Sequence, residues 1–202
     1  MDTERALLAG LARDLDGSFE ALVLAHQDRL FSIALRFIGD AHEAEEAAQD
    51  ALVRAYRALA GYDAARIGTL RLRPWLATIV LNLCRNRVTR GHRAQPRPLS
   101  LDVDRPGAAL PEPVADPSAT PADALDRREA GRRWAELVRE LPAVYRGPVV
   151  LRHVDGLSYP DIALALDRPE GTVKAQVHRG LALLRNAYLA AEQHEREEVM
   201  SA

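Results

Sequence analysis

The sequence predicts an all-α protein with two small helical domains joined by a flexible, Pro-rich linker. Apolar residues recur at helical spacing over 18–92 and again over 125–190. Prolines, small residues and acids dominate the stretch between these parts, and such a composition cannot build a packed core. Hydrophobic residues make up 48% of the chain and aromatic residues only 5%, which favours helices of Ala, Leu and Val over sheets.

These shifts in composition divide the 202 residues into five segments. A chain of this length allows one large domain or two small ones. We expect an N-terminal extension over 1–17, a first helical domain over 18–92, an acidic linker over 93–124, a second helical domain over 125–190 and a C-terminal tail over 191–202.

Two amphipathic stretches open the first domain. Apolar positions over 19–37 predict a long helix, which Gly39 ends. Alanines and leucines line one side of a second helix over 43–59, which Gly61 ends.

The third helix of the first domain is expected to follow a loop over 62–73 and to open at Pro74. Trp75 begins an apolar run, so we expect this side chain to lie in the core. Cys84 lies further along the helix among apolar and basic neighbours, which predicts a buried structural thiol. As the single cysteine, it excludes an internal disulfide and a cysteine-rich zinc site.

Residues 158–185 predict a helix-turn-helix. Ser158 is a natural N-cap for a short first helix, and Asp161 can bond back to it as an acidic form of the capping box. The helical pattern then breaks. We expect Gly171 to supply the backbone freedom for the turn and Thr172 to cap the second helix.

The second helix of this unit carries one apolar stripe and one polar, cationic face. The stripe consists of Val173, Val177, Leu181 and Leu184. Off the stripe lie Lys174, Gln176, His178, Arg179 and Arg185. Such a helix is how a helix-turn-helix presents side chains to a DNA groove. An ordinary helical hairpin with a solvated polar face has the same spacing, so the pattern alone leaves both interpretations open.

Several classes of protein are disfavoured. The histidines lack metal-ligand spacing, and no apolar run approaches the roughly 20 residues of a membrane span. The N-terminus has neither the basic start nor the apolar core of a signal peptide. A nucleophile–base pair and a glycine-rich phosphate loop are missing too. We therefore expect a cytoplasmic protein that is not an enzyme and uses no metal or cofactor.

Charge is distributed unevenly, although the formal net charge is only -2. Residues 40–50 are acidic, whereas 66–97 contain many arginines and no acid. Lys174 is the only lysine, so nearly all cations carry the planar guanidinium that suits phosphate and guanine. Such asymmetry indicates charged partners better than the net value does.

Three segments, in order, resemble the motifs of bacterial RNA polymerase sigma factors of the extracytoplasmic-function (ECF) class. Residues 39–50 (GDAHEAEEAAQD) resemble the family's acidic helix, and 74–87 (PWLATIVLNLCRNR) resemble its Trp-Leu helix. Residues 141–174, from LPAVYR through GLSY to GTVK, resemble its helix-turn-helix domain. The resemblance covers nearly the whole chain. It implies a sigma-2-like helical bundle and a sigma-4-like helix-turn-helix domain in a transcription initiation factor that directs core polymerase to promoters through their -10 and -35 elements and helps to open the DNA.

The resemblance also implies how the chain meets polymerase. The acidic helix would dock on a coiled coil of the largest polymerase subunit, and the second domain would meet the flap region. Helical spacing places four candidates on one face beside the alanine seam: Glu46, Gln49, Asp50 and Arg54. A merely solvated face is the alternative for such a helix.

Recognition of the -10 element falls to the first domain in this family. Holding a base outside the stack costs a few kcal/mol, which polar groups and cations on the single strand can offset. The candidates are Arg71, Arg73, Asn82, Asn86 and Arg90. Asn86 stands where the family usually has Asp, and Thr89 stands where Arg is common.

Recognition of the -35 element falls to the second domain. Thr172 and Lys174 lie at a helix N-terminus, which favours phosphate. Gln176 and Arg179 are one turn apart and are candidates for base edges, because Gln pairs best with adenine and Arg with guanine. The family usually has Ser-Arg where this chain has Ala175 and Gln176.

Alternatives stay open at this point. The acidic linker is either a plain tether or a mimic of nucleic acid that threads the polymerase cleft. A stand-alone helix-turn-helix repressor would explain 125–190, but not the acidic helix or the long linker. An anti-sigma protein is a common partner in this family.

Overall fold

The computed structural model describes residues 2–91, 131 and 133–201, with side chains described for 3–88, 131 and 133–193. These residues are helical or lie in turns, and none of them forms a strand. The predicted linker, 93–124, lies outside the described residues. Within the described part, no helix is both long enough and apolar enough to span a bilayer.

The described helices fall into two groups along the chain. The first group contains α1 (Asp2–Arg13), α2 (Leu15–Ile38), α3 (Ala41–Ala60), α4 (Ala64–Gly68) and α5 (Leu72–Gly91). The second group contains a helical stretch over 133–140, here α6, then α7 (Ala143–His153), α8 (Tyr159–Leu166) and α9 (Glu170–Ser201).

Helices α2, α3 and α5 pack against one another as the centre of the first domain. The inward face of α3 is built from small side chains, which lets the neighbouring backbones approach closely. Its buried residues are Ala44, Ala47, Ala48, Ala51, Leu52, Ala55 and Leu59. Larger side chains on the other two helices fill the remaining space, among them Leu30, Ile33 and Phe37 of α2 and Leu76, Val80 and Leu81 of α5.

Local signals set the ends of these helices where the sequence predicts them. Gly39 caps α2 with φ 88°, a left-handed conformation that favours glycine. Asp40 then accepts a hydrogen bond of 2.8 Å from the Glu43 N–H and so begins α3. Gly61 follows the last residue of α3.

Helix α1 belongs to the packed first domain, although the sequence suggested only an extension over 1–17. Leu8 and Leu11 are buried, and α1 contacts α2 and α4. Glu4 accepts a hydrogen bond of 3.2 Å from the Leu72 N–H, which satisfies a free donor at the start of α5. The N-terminal helix therefore supports the segment that leads into α5.

The prediction of an uninterrupted loop over 62–73 is wrong. Asp63 accepts a hydrogen bond of 2.7 Å from the Arg66 N–H and caps the short helix α4, which buried Ile67 anchors to the core. Helix α5 begins at Leu72, so Pro74 lies within its first turn rather than at its start. Trp75 packs against the core but is only partly buried.

In the second domain, α9 packs against α7 and α8 through the predicted apolar stripe. Val173, Val177 and Leu184 are buried, and Leu181 is partly buried. Gly180 lets α9 cross α7 closely, because a Cβ at this position would lie 2.6 Å from a methyl carbon of Val149.

The helix-turn-helix forms as predicted, but its turn uses other residues. Ser158 caps α8, and its hydroxyl lies 2.5 Å from the Asp161 carboxylate. Asp167 takes the left-handed conformation (φ 50°, ψ 56°) that ends α8. The expectation that Gly171 turns the chain and Thr172 caps the second helix is wrong, since α9 already begins at Glu170.

Cys84 is fully buried, as predicted, and burial raises its pKa to about 12. A protonated, inaccessible thiol is a poor nucleophile.

We therefore expect the thiol of Cys84 in the native chain to react with a thiol reagent far more slowly than in the chain unfolded in guanidinium chloride. The unfolded chain should react with one equivalent of the reagent. Rapid labelling of the native chain would show that α5 opens locally.

Candidate functional site

The four candidates on α3 share one exposed surface, called here the acidic surface: Glu46, Gln49, Asp50 and Arg54. The carboxylate side chains of Glu46 and Asp50 are 49% and 54% exposed. Buried alanines occupy the opposite side of the helix, so these polar side chains are held outward. The structure thus brings together the residues that the sequence grouped.

Arg87 of α5 completes the acidic surface, and sequence reasoning did not single it out. It donates hydrogen bonds of 2.8 Å to both Glu46 and Asp50. The bond to Glu46, together with that to Asp50, raises the pKa of the Arg87 guanidinium. Arg87 orients both carboxylates, but no pattern within α3 indicates a partner on another helix.

Arg71 and Arg73 lie at the start of α5, and both turn toward the second domain. Arg71 forms an ion pair of 2.5 Å with Asp161 of α8. Arg73 donates a hydrogen bond of 2.5 Å to the backbone carbonyl of Asp155, in the turn after α7. Their side chains remain 56% and 44% exposed, so solvent reaches them.

The other -10 candidates form a separate group along α5. Asn82 and Asn86 are exposed one turn apart, and Asn82 accepts a hydrogen bond of 3.3 Å from Arg85. Asn82 is nine positions after Arg73, which is about 14 Å along a helix axis. The side chain of Arg90 lies outside the described residues. The structure therefore does not gather these candidates into one pocket.

Three of the four -35 candidates are exposed on the first turns of α9: Thr172, Lys174 and Arg179. Lys174 forms an ion pair of 2.7 Å with Glu170, and this hydrogen bond raises the pKa of the Lys174 ammonium. The same ammonium lies 5.7 Å from the centre of the Tyr159 ring on α8. The N-terminal part of α9 thus presents cations beside the turn.

Gln176 does not share this exposed face. It is half-buried, and its side-chain oxygen accepts a hydrogen bond of 2.9 Å from Arg168 in the turn. Ala175 and His178 are exposed instead and lie on the same side of α9 as Arg179, at spacings of one turn. Gln176 flanks the apolar stripe, three residues after Val173 and directly before Val177, and this position is the sequence signal for its partial burial.

The two domains contact each other through a buried ion pair. Arg29 of α2 holds both carboxylate oxygens of Asp155, with its Nη2 at 2.5 Å from Oδ2 and its Nε closer still to Oδ1. The Asp155 side chain is 1% exposed and that of Arg29 is 16% exposed. Arg29 also donates a hydrogen bond of 3.1 Å to the backbone carbonyl of Arg73.

Buried His26 lies beside this contact. Desolvation lowers its pKa, and the positive charge of nearby Arg29 lowers it further. Within the described residues, its Nδ1 has no hydrogen-bond partner. The folded chain therefore holds His26 as the neutral imidazole.

The described residues contain no group of His, Cys, Asp and Glu side chains that could hold a metal ion. The side chains exposed on the acidic surface and on the first turns of α9 are charged or polar.

Family models and curated relatives agree on the class of this chain. The model for Sigma-70 region 2 matches residues 22–94, and that for Sigma-70, region 4 matches 131–184. RNA polymerase sigma-H factor of Pseudomonas aeruginosa is 32% identical over 181 residues, covering 88% of this chain and 90% of the relative. The chain belongs to the family of RNA polymerase sigma factors. It is a transcription initiation factor that binds core RNA polymerase and directs it to promoter DNA.

Two further relatives place the chain in the ECF class of these sigma factors. ECF sigma factor SigE of Mycolicibacterium smegmatis is 34% identical over 185 residues, which is 92% of this chain and 66% of the relative. ECF sigma factor SigW of Bacillus subtilis is 30% identical over 171 residues, covering 83% of this chain and 87% of the relative. This membership excludes the stand-alone repressor. Sigma factors are initiation factors rather than enzymes.

Two solved structures share the fold. CnrH, in complex with the cytosolic domain of CnrY, has a TM-score of 0.64 at 24% identity and covers 93% of this chain and 97% of its own. RpoE from Bartonella quintana, in complex with the anti-sigma factor NepR, has a TM-score of 0.59 at 22% identity and covers 83% and 94%. The predicted all-α architecture of two helical domains is confirmed.

The neutral state of His26 gives this sigma factor a pH-dependent stability. Because folding lowers the pKa of His26 below 6.5, the unfolded chain binds the proton more tightly than the folded chain. The free energy of unfolding should therefore fall as pH drops from about 7.5 to about 5.5. Urea unfolding at the two pH values measures the loss.

The variant His26→Leu should show a weaker dependence on pH, whereas the substitution of an exposed histidine, His178→Gln, serves as a control that retains the contribution of His26. If the free energy of unfolding depends on pH equally in His26→Leu and in the parent chain, His26 is not the source of the pH dependence.

Proposed function

We propose that this sigma factor divides promoter recognition between its domains. The first domain, over 18–92, docks on core polymerase and engages the -10 element. The second domain, over 125–190, reads the -35 element and meets the flap region. The linker over 93–124 connects the two across the polymerase. The observation that carries this division is the exposed cationic face of α9, held outward by the buried stripe of the helix-turn-helix.

For the -35 element, we propose that Thr172 and Lys174 contact phosphate and that Arg179 contacts a base. Thr172 lies in the first turn of α9, where free backbone N–H groups favour anions, and Lys174 begins the second turn, where its ammonium adds positive charge. Arg179 lies farther along and is exposed, so its guanidinium is available for the acceptor edge of guanine. Gln176, predicted as a second base contact, would need to leave Arg168 to reach the groove.

Removing the Arg179 side chain tests this assignment. Arg179→Ala should weaken promoter binding by the polymerase holoenzyme by about 1–3 kcal/mol and relax the preference at one position of the -35 element. Lys174→Ala should weaken holoenzyme binding to all promoter sequences alike and should reduce the dependence of that binding on salt concentration. Binding to a library of -35 variants separates the two patterns.

Arg13→Ala removes an exposed arginine from α1 and serves as the control for loss of charge. If Arg179→Ala weakens holoenzyme binding equally on every -35 sequence, Arg179 contacts phosphate and not a base.

For polymerase binding, we propose that the acidic surface of α3 docks on a coiled coil of the largest subunit. Support comes from the exposure of its carboxylates and from Arg87, which holds both in fixed positions. A preorganised pair of carboxylates loses little side-chain entropy when a cationic partner binds. Gln49 and Arg54 extend the same face with polar groups.

Charge reversal tests the docking surface. Glu46→Lys with Asp50→Lys should weaken the affinity for core polymerase at least tenfold, because each substitution replaces attraction by repulsion. The affinity can be measured by fluorescence anisotropy with labelled full-length chain. The matched control, Glu20→Lys with Asp28→Lys, reverses two exposed acids of α2. Unchanged affinity in the α3 variant would place the docking surface elsewhere.

For the -10 element, we propose that the start of α5 binds the displaced single strand. The Arg66 guanidinium lies 3.8 Å from the centre of the Tyr62 ring, and the Tyr62 and Trp75 rings are 6.3 Å apart. Aromatic rings beside cations suit stacking with unpaired bases. Arg71 and Arg73 follow in the chain, and Asn82, Asn86 and Arg90 would extend the path along α5.

We further propose an anti-sigma protein as a partner, since both structural neighbours were solved in complex with CnrY or NepR. The chain would act in the cytoplasm, where bacterial polymerase is found, and would catalyse no reaction of its own. Run-off transcription with core polymerase on a promoter library tests the whole proposal: promoter-specific transcripts are expected only when the chain is added.

A further inference from the structure

A cleft lies where the start of α1, the residues that lead into α5 and the turn before α8 meet. Its volume is about 660 Å³, and its walls come from within residues 4–8, 70–74 and 156–161. Sites that bind small molecules commonly have volumes of about 300–1,000 Å³. We propose that this cleft binds an amphipathic anion, in which one acyl chain carries a carboxylate or a phosphate headgroup. Such a site is separate from the acidic surface and from the exposed face of α9.

Aliphatic side chains form the inner wall of the cleft. Leu8 of α1 is 7% exposed, and Leu157, in the turn before α8, is 3% exposed. Partly buried Leu70 and the ring of Pro74 continue this wall. None of the described residues that line the cleft is aromatic. A flexible methylene chain packs against such a wall, whereas a flat base or ring finds no aromatic partner there for stacking.

Three arginines line the more exposed part of the same cleft: Arg5, Arg71 and Arg73. Within the described residues, Arg5 forms no hydrogen bond or ion pair. Arg71 and Arg73 direct only their Nη2 atoms to acceptors of the second domain. Carboxylate and phosphate oxygens are strong acceptors for a guanidinium group, which can donate two parallel hydrogen bonds to either. The remaining donors of these side chains are therefore suited to the headgroup of an anion.

The acidic side chains of the cleft already have partners within the chain. Glu4 accepts a hydrogen bond of 3.2 Å from the Leu72 N–H. Asp161 forms an ion pair of 2.5 Å with Arg71, and its other carboxylate oxygen lies 2.5 Å from the Ser158 hydroxyl. The residues that line the cleft carry three positive charges and two negative charges. The cleft therefore favours an anionic ligand over a cationic one.

Charged and apolar side chains alternate along the walls in the order that an amphiphile requires. On α1, exposed Arg5 precedes buried Leu8 by three residues, so the two side chains are neighbours on one helix face. Before α5, partly buried Leu70 is followed directly by exposed Arg71. A ligand with its acyl chain against the leucines and its headgroup toward solvent contacts both kinds of side chain at once.

Titration calorimetry of the full chain with single-chain amphiphiles tests the site. Decanoate and decyl phosphate, each kept below its micelle concentration, should both bind with one ligand per chain. Each methylene removed from the acyl chain, as in nonanoate and octanoate, should raise the Kd about fourfold, or about 0.8 kcal/mol per buried methylene. The headgroup that binds more tightly identifies the ligand as a carboxylate or as a phosphate ester.

Decyltrimethylammonium is the matched control ligand, because it joins a hydrocarbon chain of the same length to a cationic headgroup. It should bind about tenfold more weakly than decanoate, since the arginines repel it. Equal binding of the cation would show unspecific adsorption of hydrocarbon and would overturn the proposal. Absence of binding by decanoate and by decyl phosphate would overturn it as well.

Substitution of Arg5 tests the position of the headgroup. Arg5→Ala should raise the Kd of decanoate about tenfold, because a hydrogen bond to a charged group is lost. Arg13→Ala removes an exposed arginine of the same helix that does not line the cleft, and it should leave the Kd unchanged. The same Kd in Arg5→Ala and in the parent chain would show that the headgroup lies outside the cleft.

Substitution of Leu70 tests the position of the acyl chain. Leu70→Gln should reduce the ratio between the Kd values of octanoate and decanoate, while far-UV circular dichroism remains that of the parent. Leu24→Gln, at a leucine of α2 that is 66% exposed and does not line the cleft, should leave this ratio unchanged. An unchanged ratio in Leu70→Gln would place the acyl chain elsewhere and refute the site.

Discussion

Pairing of arginine with carboxylate between helices is the constraint on which the functional surfaces of this sigma factor depend. Arg87 joins α5 to the acidic surface of α3, and Arg29 joins α2 to Asp155 of the second domain. With Lys174 as the only lysine, nearly every cation carries a planar fork that can hold two oxygens at once. The same planar group therefore forms the contacts between helices and supplies most of the positive charge exposed on the surface.

Small residues make these pairings geometrically possible. The alanine seam of α3 brings α2 and α5 close together, which places Arg87 within reach of Glu46 and Asp50. Gly180 likewise allows α9 to pack closely against α7 in the second domain. Close backbone approach is thus a condition for the electrostatic contacts, because guanidinium side chains have a fixed reach.

The structure places the functional side chains in two kinds of environment. Those of the acidic surface and of the first turns of α9 are exposed and ready for partners. Arg71 and Arg73 instead contact the second domain. Solvent still reaches both guanidinium groups, whose side chains are 56% and 44% exposed.

Sequence alone determined the features that depend on neighbouring residues. Helix ends are marked by residues that act through local hydrogen bonds and backbone conformation: Gly39, Gly61 and Ser158. Helical spacing indicated both the buried stripe of α9 and the acidic surface.

Only the tertiary structure decided which side chains on different helices contact each other. Arg87 is 41 residues from Glu46, and Arg29 is 126 residues from Asp155, so no local pattern pairs them. Gln176 turned inward because Arg168 and the packing of α8 on α9 offer its oxygen a donor. Periodicity predicts which face of a helix is buried, but the partner of each polar group is chosen by packing between segments far apart in the chain.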